Sequence, residues 1–210
     1  MSILKRKYEI IYADPAWSFR NKNTGGSMKS GASAHYPTMT VEEMCNLNIQ
    51  SISNQNCILF MWWVPSQPKE AIKLAESWGF EVKVMTAFNW VKLSSKTAKL
   101  DFGMGFYTRG GSEPCLIGTK GDKSVEIEIE GSEPCLIATK GKIKRISASV
   151  RSVVMAKKEK HSAKPNVFRE EIVKLMGDVP RIELFARKKV KGWDAWGNEV
   201  KKSIHIPFIV

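Results

Sequence analysis

The four cysteines of this 210-residue chain, Cys45, Cys57, Cys115 and Cys135, form no C-x-x-C pair, and His35, His161 and His205 stand far apart. Zinc-ligand spacing is missing, so no metal site is expected. The chain also lacks a long apolar run. The longest, residues 57–64, falls far short of the ~20 residues that cross a bilayer. Residues 1–10 hold basic side chains but no apolar stretch of the signal-peptide kind, which predicts a cytoplasmic protein with reduced, mostly buried thiols. Acidic residues are in short supply, with 21 Asp+Glu against 33 Lys+Arg. What is there is a folded composition, 43% apolar and 26% charged, which excludes disordered and collagen-like chains.

The resulting net charge of +12 points to a polyanionic partner, nucleic acid first and an anionic membrane second. The excess is dispersed, with basic clusters at residues 5–7, 140–145, 157–160, 187–191 and 201–202. Dispersion on a folded chain describes a basic surface; ordinary solvated lysines remain the plainer alternative. The length suits one domain, residues 1–210.

Apolar runs at 8–13, 57–63, 82–91, 150–155 and 181–186 read as strands. Between them, Thr40 with Glu42 and Glu43 marks a helix start, Pro68 to Trp78 is a helix closed by Gly79, and Pro165 to Met176 is a helix closed by Gly177. Strands alternating with helices predict an α/β fold with a mostly parallel central sheet. Residues 20–38, rich in Gly, Ser, Asn and Lys, read as a functional loop. One repeat stands out: GSEPCLIGTKG at 111–121 returns as GSEPCLIATKG at 131–141, differing only at Gly118 and Ala138. Two copies are too few for a solenoid, so this is a local tandem duplication. Between the copies Val125, Ile127 and Ile129 alternate with Glu126, Glu128 and Glu130, which predicts an extra β-hairpin inserted around 111–141. Only one Pro-Cys-Leu-Ile copy can fill a given core position. Residues 122–141 carry two lysines against five acids, so the charge excess belongs to the rest of the chain.

The sharpest local feature is Asp14-Pro15-Ala16-Trp17, at the end of the first strand. Ligands of open α/β sheets bind beyond the carboxyl ends of strands, which is where this segment falls. Pro15 biases Asp14 to an extended conformation, and Trp17 offers a face on which a base could stack. As a bare string, it reads equally as a strand-ending turn with a packed tryptophan.

The segment resembles the D-P-P-W signature of amino-methyltransferases that act on adenine. Most of the chain is similar to the mRNA adenosine methyltransferase-like family and its bacterial and phage DNA N-6-adenine members. The likeness runs through residues 39–44, 47–49, 59–62, 78–80, 90–92, 113–117, 161–165, 181–187 and 197–199. It implies a Rossmann-like fold that uses S-adenosylmethionine to methylate the exocyclic amine of adenine, in DNA by preference and in RNA as the alternative; a catalytically inactive nucleic-acid-binding homologue is a further alternative. Asp14, Pro15 and Trp17 would be the catalytic group. Lys164, Glu183, Arg187, Asn198 and Glu199 would bind the donor, with Tyr36, Trp90 and Lys92 on the nucleic-acid side. The chain departs from the family where Ala16 replaces the second proline, where Lys189 stands for a histidine and Glu199 for a glutamine of eukaryotic relatives, and in the duplication.

Overall fold

The computed structural model describes residues 6–17, 39–101, 112–120, 144–159 and 163–209. Their elements alternate as the apolar pattern requires: β1 (Tyr8–Ala13), α1 (Val41–Cys45), β2 (Ser53–Trp62), α2 (Pro68–Ser77), β3 (Glu81–Leu93), β4 (Ser112–Lys120), β5 (Val153–Lys157), α3 (Val167–Met176), β6 (Arg181–Leu184) and β7 (Asp194–Trp196). The seven strands form one sheet in the order β5-β3-β4-β2-β1-β6-β7. All run in one direction except β4, which is antiparallel to both neighbours.

β1 lies deep in this sheet, which explains its nearly unbroken apolar run: strands covered on both faces have no polar side to show. Ile10 and Tyr12 pack on one face with Phe168, Ile172, Leu175 and Met176 of α3. Tyr8, Ile11 and Ala13 pack on the other with Met44 of α1 and Leu74, Ala75 and Trp78 around α2. The helix ends match their sequence signals. Thr40 and Glu43 form a reciprocal capping box on α1. Gly79, at φ +81, closes α2 in a Schellman arrangement, with Gly79 N donating to Glu76 O at 2.8 Å and Phe80 N to Ala75 O at 3.0 Å.

At the duplication, the first copy is β4, an interior strand of the sheet. It pairs Phe60 with Ile117 and Met61 with Leu116 on one side, and Val84 with Ile117 on the other. The second copy and the expected hairpin residues 125–129 lie outside the described residues. The carboxyl-terminal Trp-rich segment also supplies a strand, β7, paired in parallel with β6. β5 spans Val153–Lys157, shifted from the apolar run that suggested it, and occupies the sheet edge, with Val153 and Met155 exposed.

Candidate active site

The six parallel strands bring their carboxyl ends to one edge of the sheet, the edge at which open α/β sheets bind ligands. β1 ends there at Ala13, and the turn that follows is pinned on three sides. Asp14 N reaches Leu184 O at 3.5 Å, Trp17 N donates to Pro15 O at 2.8 Å, and Met39 N donates to Ala16 O at 3.2 Å. Asp14 is thereby fixed at the mouth of the sheet with its side chain 21% exposed.

Its partner comes from the segment that leads into α3. Lys164, only 8% exposed, places Nζ 2.9 Å from Asp14 Oδ1 and 5.1 Å from the centre of the Trp62 ring. Trp62 is itself fixed, because its indole N–H donates to Tyr12 Oη at 2.7 Å and its carbonyl accepts from Trp17 Nε1 at 3.0 Å. Beneath this pair lies a second one. Arg169 of α3 forms a two-pronged ion pair with Glu183 of β6, Nε to Oε2 at 2.8 Å and Nη2 to Oε1 at 2.5 Å. Both residues are buried. Burial works against the guanidinium charge, but the hydrogen bond to Glu183 and the negative groups around it, Glu183 and Glu159 among them, lift the Arg169 pKa above its ordinary value. The remaining prong, Nη1, donates to the Lys164 carbonyl at 3.2 Å.

A third group gathers at the ends of β6 and β7. Arg187 Nε lies 3.8 Å from Glu199 Oε1, beside Asn198; Asn198 and Glu199 are exposed. Two backbone features bring them together. A Cβ on Gly197 would sit 2.2 Å from Ala186 O and 2.7 Å from Ala186 N, so only glycine lets the two strand ends approach this closely. Phe185 occupies the left-handed region at φ +58, which is costly for a residue with a Cβ; its ring is held between Trp78 and Trp196. Along the same edge, β3 and β5 end in Lys92, Lys157 and Lys158.

The sequence profile of the MT-A70 family matches residues 8–130 and again 126–199. The chain belongs to the MT-A70 family. Each matched stretch contains one copy of the duplicated segment, and the two overlap at residues 126–130. Among curated proteins, the chain is 33% identical over 97% of its length to the type II methyltransferase M.MunI of a Mycoplasma species, covering 82% of that protein. It is 24% identical over 98% of its length to the human N(6)-adenine-specific methyltransferase METTL4, and 24% identical over 92% to an Arabidopsis thaliana N(6)-adenosine-methyltransferase MT-A70-like protein. Of those two it covers only 40% and 24%.

Within this MT-A70 domain, two groups of the expected site residues come together. Asp14, Pro15 and Lys164 meet at the end of β1, and Arg187, Asn198 and Glu199 meet at the ends of β6 and β7. Glu183, expected to touch the donor, instead spends both carboxylate oxygens on Arg169. Trp17 does not offer a stacking face: it is 5% exposed, and its ring is packed in the core. Trp90 is likewise interior, with no exposed surface, its N–H donating to Ala156 O at 2.9 Å and its ring edge-on to Phe168. Lys92 does reach the edge, with its ammonium 5.3 Å from the Trp90 ring centre. Tyr36 lies outside the described residues. Arg169 was missed. Its signal was present, since it shares the apolar stripe of α3 with Ile172 and Met176, three and seven residues on.

Among the described residues, no cluster of metal-ligating side chains occurs and no helix is long and apolar enough to cross a membrane.

Proposed function

We propose that this MT-A70 protein transfers a methyl group from S-adenosylmethionine to the exocyclic amine of adenine in DNA. The observation that carries the reading is Asp14, set at the carboxyl end of β1 in D-P-A-W and held by Lys164 at 2.9 Å. Lys164 occupies Oδ1, which leaves Oδ2 as the oxygen to accept from a substrate amine. The Pro15 carbonyl spends one acceptor position on Trp17 N–H and keeps the other.

An adenine amino nitrogen is a weak nucleophile because its lone pair is delocalised into the ring. Asp14 Oδ2 and Pro15 O, accepting its two hydrogens, would pull the nitrogen toward tetrahedral geometry and localise that pair. The Asp14 carboxylate also stabilises the positive charge that develops on nitrogen, in the partly excluded site where such a charge counts most. The donor, when bound, would supply a sulfonium-activated methyl group, its S–CH3 bond breaking as the N–CH3 bond forms, the sulfur leaving as a neutral thioether and the surplus nitrogen proton passing to Asp14 or to water. The chain's task is then alignment, and alignment alone removes several kcal/mol of barrier, up to ~7–11 in favourable intramolecular cases.

The polar group at the ends of β6 and β7 fits such a donor: Arg187, Asn198 and Glu199 present the donors and acceptors that ribose hydroxyls need. Lys164, with three ammonium hydrogens, can serve a donor carboxylate while it holds Asp14. Glu183 does not fit this set, because it is buried and faces Arg169 with both carboxylate oxygens. Lys92 and Lys157 supply positive charge for phosphates on the same edge, and the target base must leave a duplex stack or come from a single strand. Similarity to a Mycoplasma type II methyltransferase over nearly the whole chain favours DNA.

The test is incubation with labelled donor and matched DNA and RNA oligonucleotides, followed by nucleoside analysis. Label in N6-methyladenine of the DNA is the expected result. Label only in RNA selects the alternative polymer, and label in neither polymer overturns the reading.

A further inference from the structure

A buried ion pair is a poor way to stabilise a fold, because two apolar residues of similar volume often do as well or better. Arg169 and Glu183 are 4% and 5% exposed, and the chemistry proposed above uses neither. What distinguishes this pair from an ornament of the core is where its third prong goes. Arg169 Nη1 holds the carbonyl of Lys164, the residue whose side chain holds Asp14.

α3 begins at Val167 behind Asn166, whose side chain makes no capping bond and instead donates to Glu170 Oε1. The guanidinium also lies 5.5 Å from the Tyr12 ring centre. Tyr12 Oη accepts from Trp62, and the Trp62 ring is the surface over which the Lys164 ammonium lies. Arg169 therefore meets Lys164 twice, at its backbone directly and at its head group through Tyr12 and Trp62. An arginine can do this because its planar fork presents five N–H groups in fixed directions; a lysine could satisfy Glu183 but could not also span to the carbonyl.

We propose that Arg169, anchored by Glu183, is a positioning residue for methyl transfer: it sets the Lys164 backbone so that the ammonium orients the Asp14 carboxylate toward the substrate amine. This rests on the methyltransferase reading above.

Two variants separate positioning from stability. Arg169→Lys keeps a charge for Glu183 and loses the span to the carbonyl. The double variant Arg169→Met/Glu183→Met replaces the pair with apolar volume and leaves no lone charge. Thermal melts, kcat and KM with a DNA oligonucleotide, and the 15N–1H signals of the lysine ammonium groups are compared with the parent. Lys164→Met assigns the Lys164 signal. Both variants are expected to melt close to the parent, to lose about ten- to a hundredfold in kcat with little change in KM, and to lose the sharp Lys164 ammonium signal. A folded variant that keeps parental kcat overturns the proposal, and so does one that loses kcat while the Lys164 signal is unchanged. If the parent transfers no methyl group, the functional reading fails. Positioning then stands or falls on whether the variants lose the Lys164 signal.

Discussion

Two ion pairs sit one above the other at the start of α3, and they are built for different ends. Asp14–Lys164 uses one carboxylate oxygen, leaves the Asp14 side chain 21% exposed, and takes its cation from a flexible stem. Glu183–Arg169 uses both oxygens, leaves side chains 7% and 5% exposed, and takes its cation from a rigid fork. The open pair keeps an acceptor for a substrate. The closed pair is kept from any substrate by burial, and can act only through what it holds. The two cations are five residues apart in sequence, so a single helix start delivers both.

The largest effect should come from the open pair. Asp14→Ala removes the acceptor and the charge at the reacting nitrogen, and kcat is expected to fall at least ~10²–10³-fold, the usual cost of losing an electrostatic catalytic group. Donor affinity, measured by calorimetry, should be largely intact, because Asp14 is assigned to the amine. Persistent methyl incorporation in this variant would show that the open pair is no more catalytic than the closed one.

For the closed pair, the expected effect is on stability. Glu183→Gln leaves Arg169 charged and buried without a counter-charge, a change that typically costs about 3–5 kcal/mol. At this chain length that is a drop of roughly 6–20 °C in Tm. Scanning calorimetry measures it, and an unchanged midpoint would mean that the pair is far less enclosed than its geometry shows.

The contrast also explains how much could be read from the chain. β1, α2, α3 and β6 were legible because each carries its own period and terminators: an apolar run for β1, Pro68 and Gly79 around α2, Gly177 after α3. Asp14 was legible because D-P-x-W is contiguous. β4 was not recognised as an interior strand, since its sequence occurs twice and local pattern cannot say which copy the sheet selects. Trp17 beside D-P invites a stacking role and the resemblance puts Trp90 on the nucleic-acid side, whereas their burial follows from the N–H acceptors at Trp62 O and Ala156 O, contributed by distant segments. The closed pair was hidden for a different reason. A charged residue in an apolar stripe shows that a partner exists, but the partner, fourteen residues away across a helix and a turn, is chosen by packing.

A third ion pair sharpens the ranking from the other side. Glu42 of α1 and Lys73 of α2 meet at 3.2 Å with side chains 71% and 58% exposed. The Glu42 carboxyl is held below its ordinary pKa, first by a hydrogen bond from its own backbone N–H and then by Lys73. A carboxylate whose folded-state value is depressed contributes stability above its unfolded-state pKa and loses it as pH falls through the folded-state value. Here the contribution is small at every pH, because water screens both charges and two long side chains must be ordered to make the contact. Lys73→Ala should therefore melt with the parent at neutral pH, within the scatter of replicate scans. Any residual difference should vanish once acid protonates Glu42. If Lys73→Ala instead lowered the midpoint as far as Glu183→Gln, burial would not be what separates these pairs, and the division of labour between Asp14 and Glu183 would lose its physical basis.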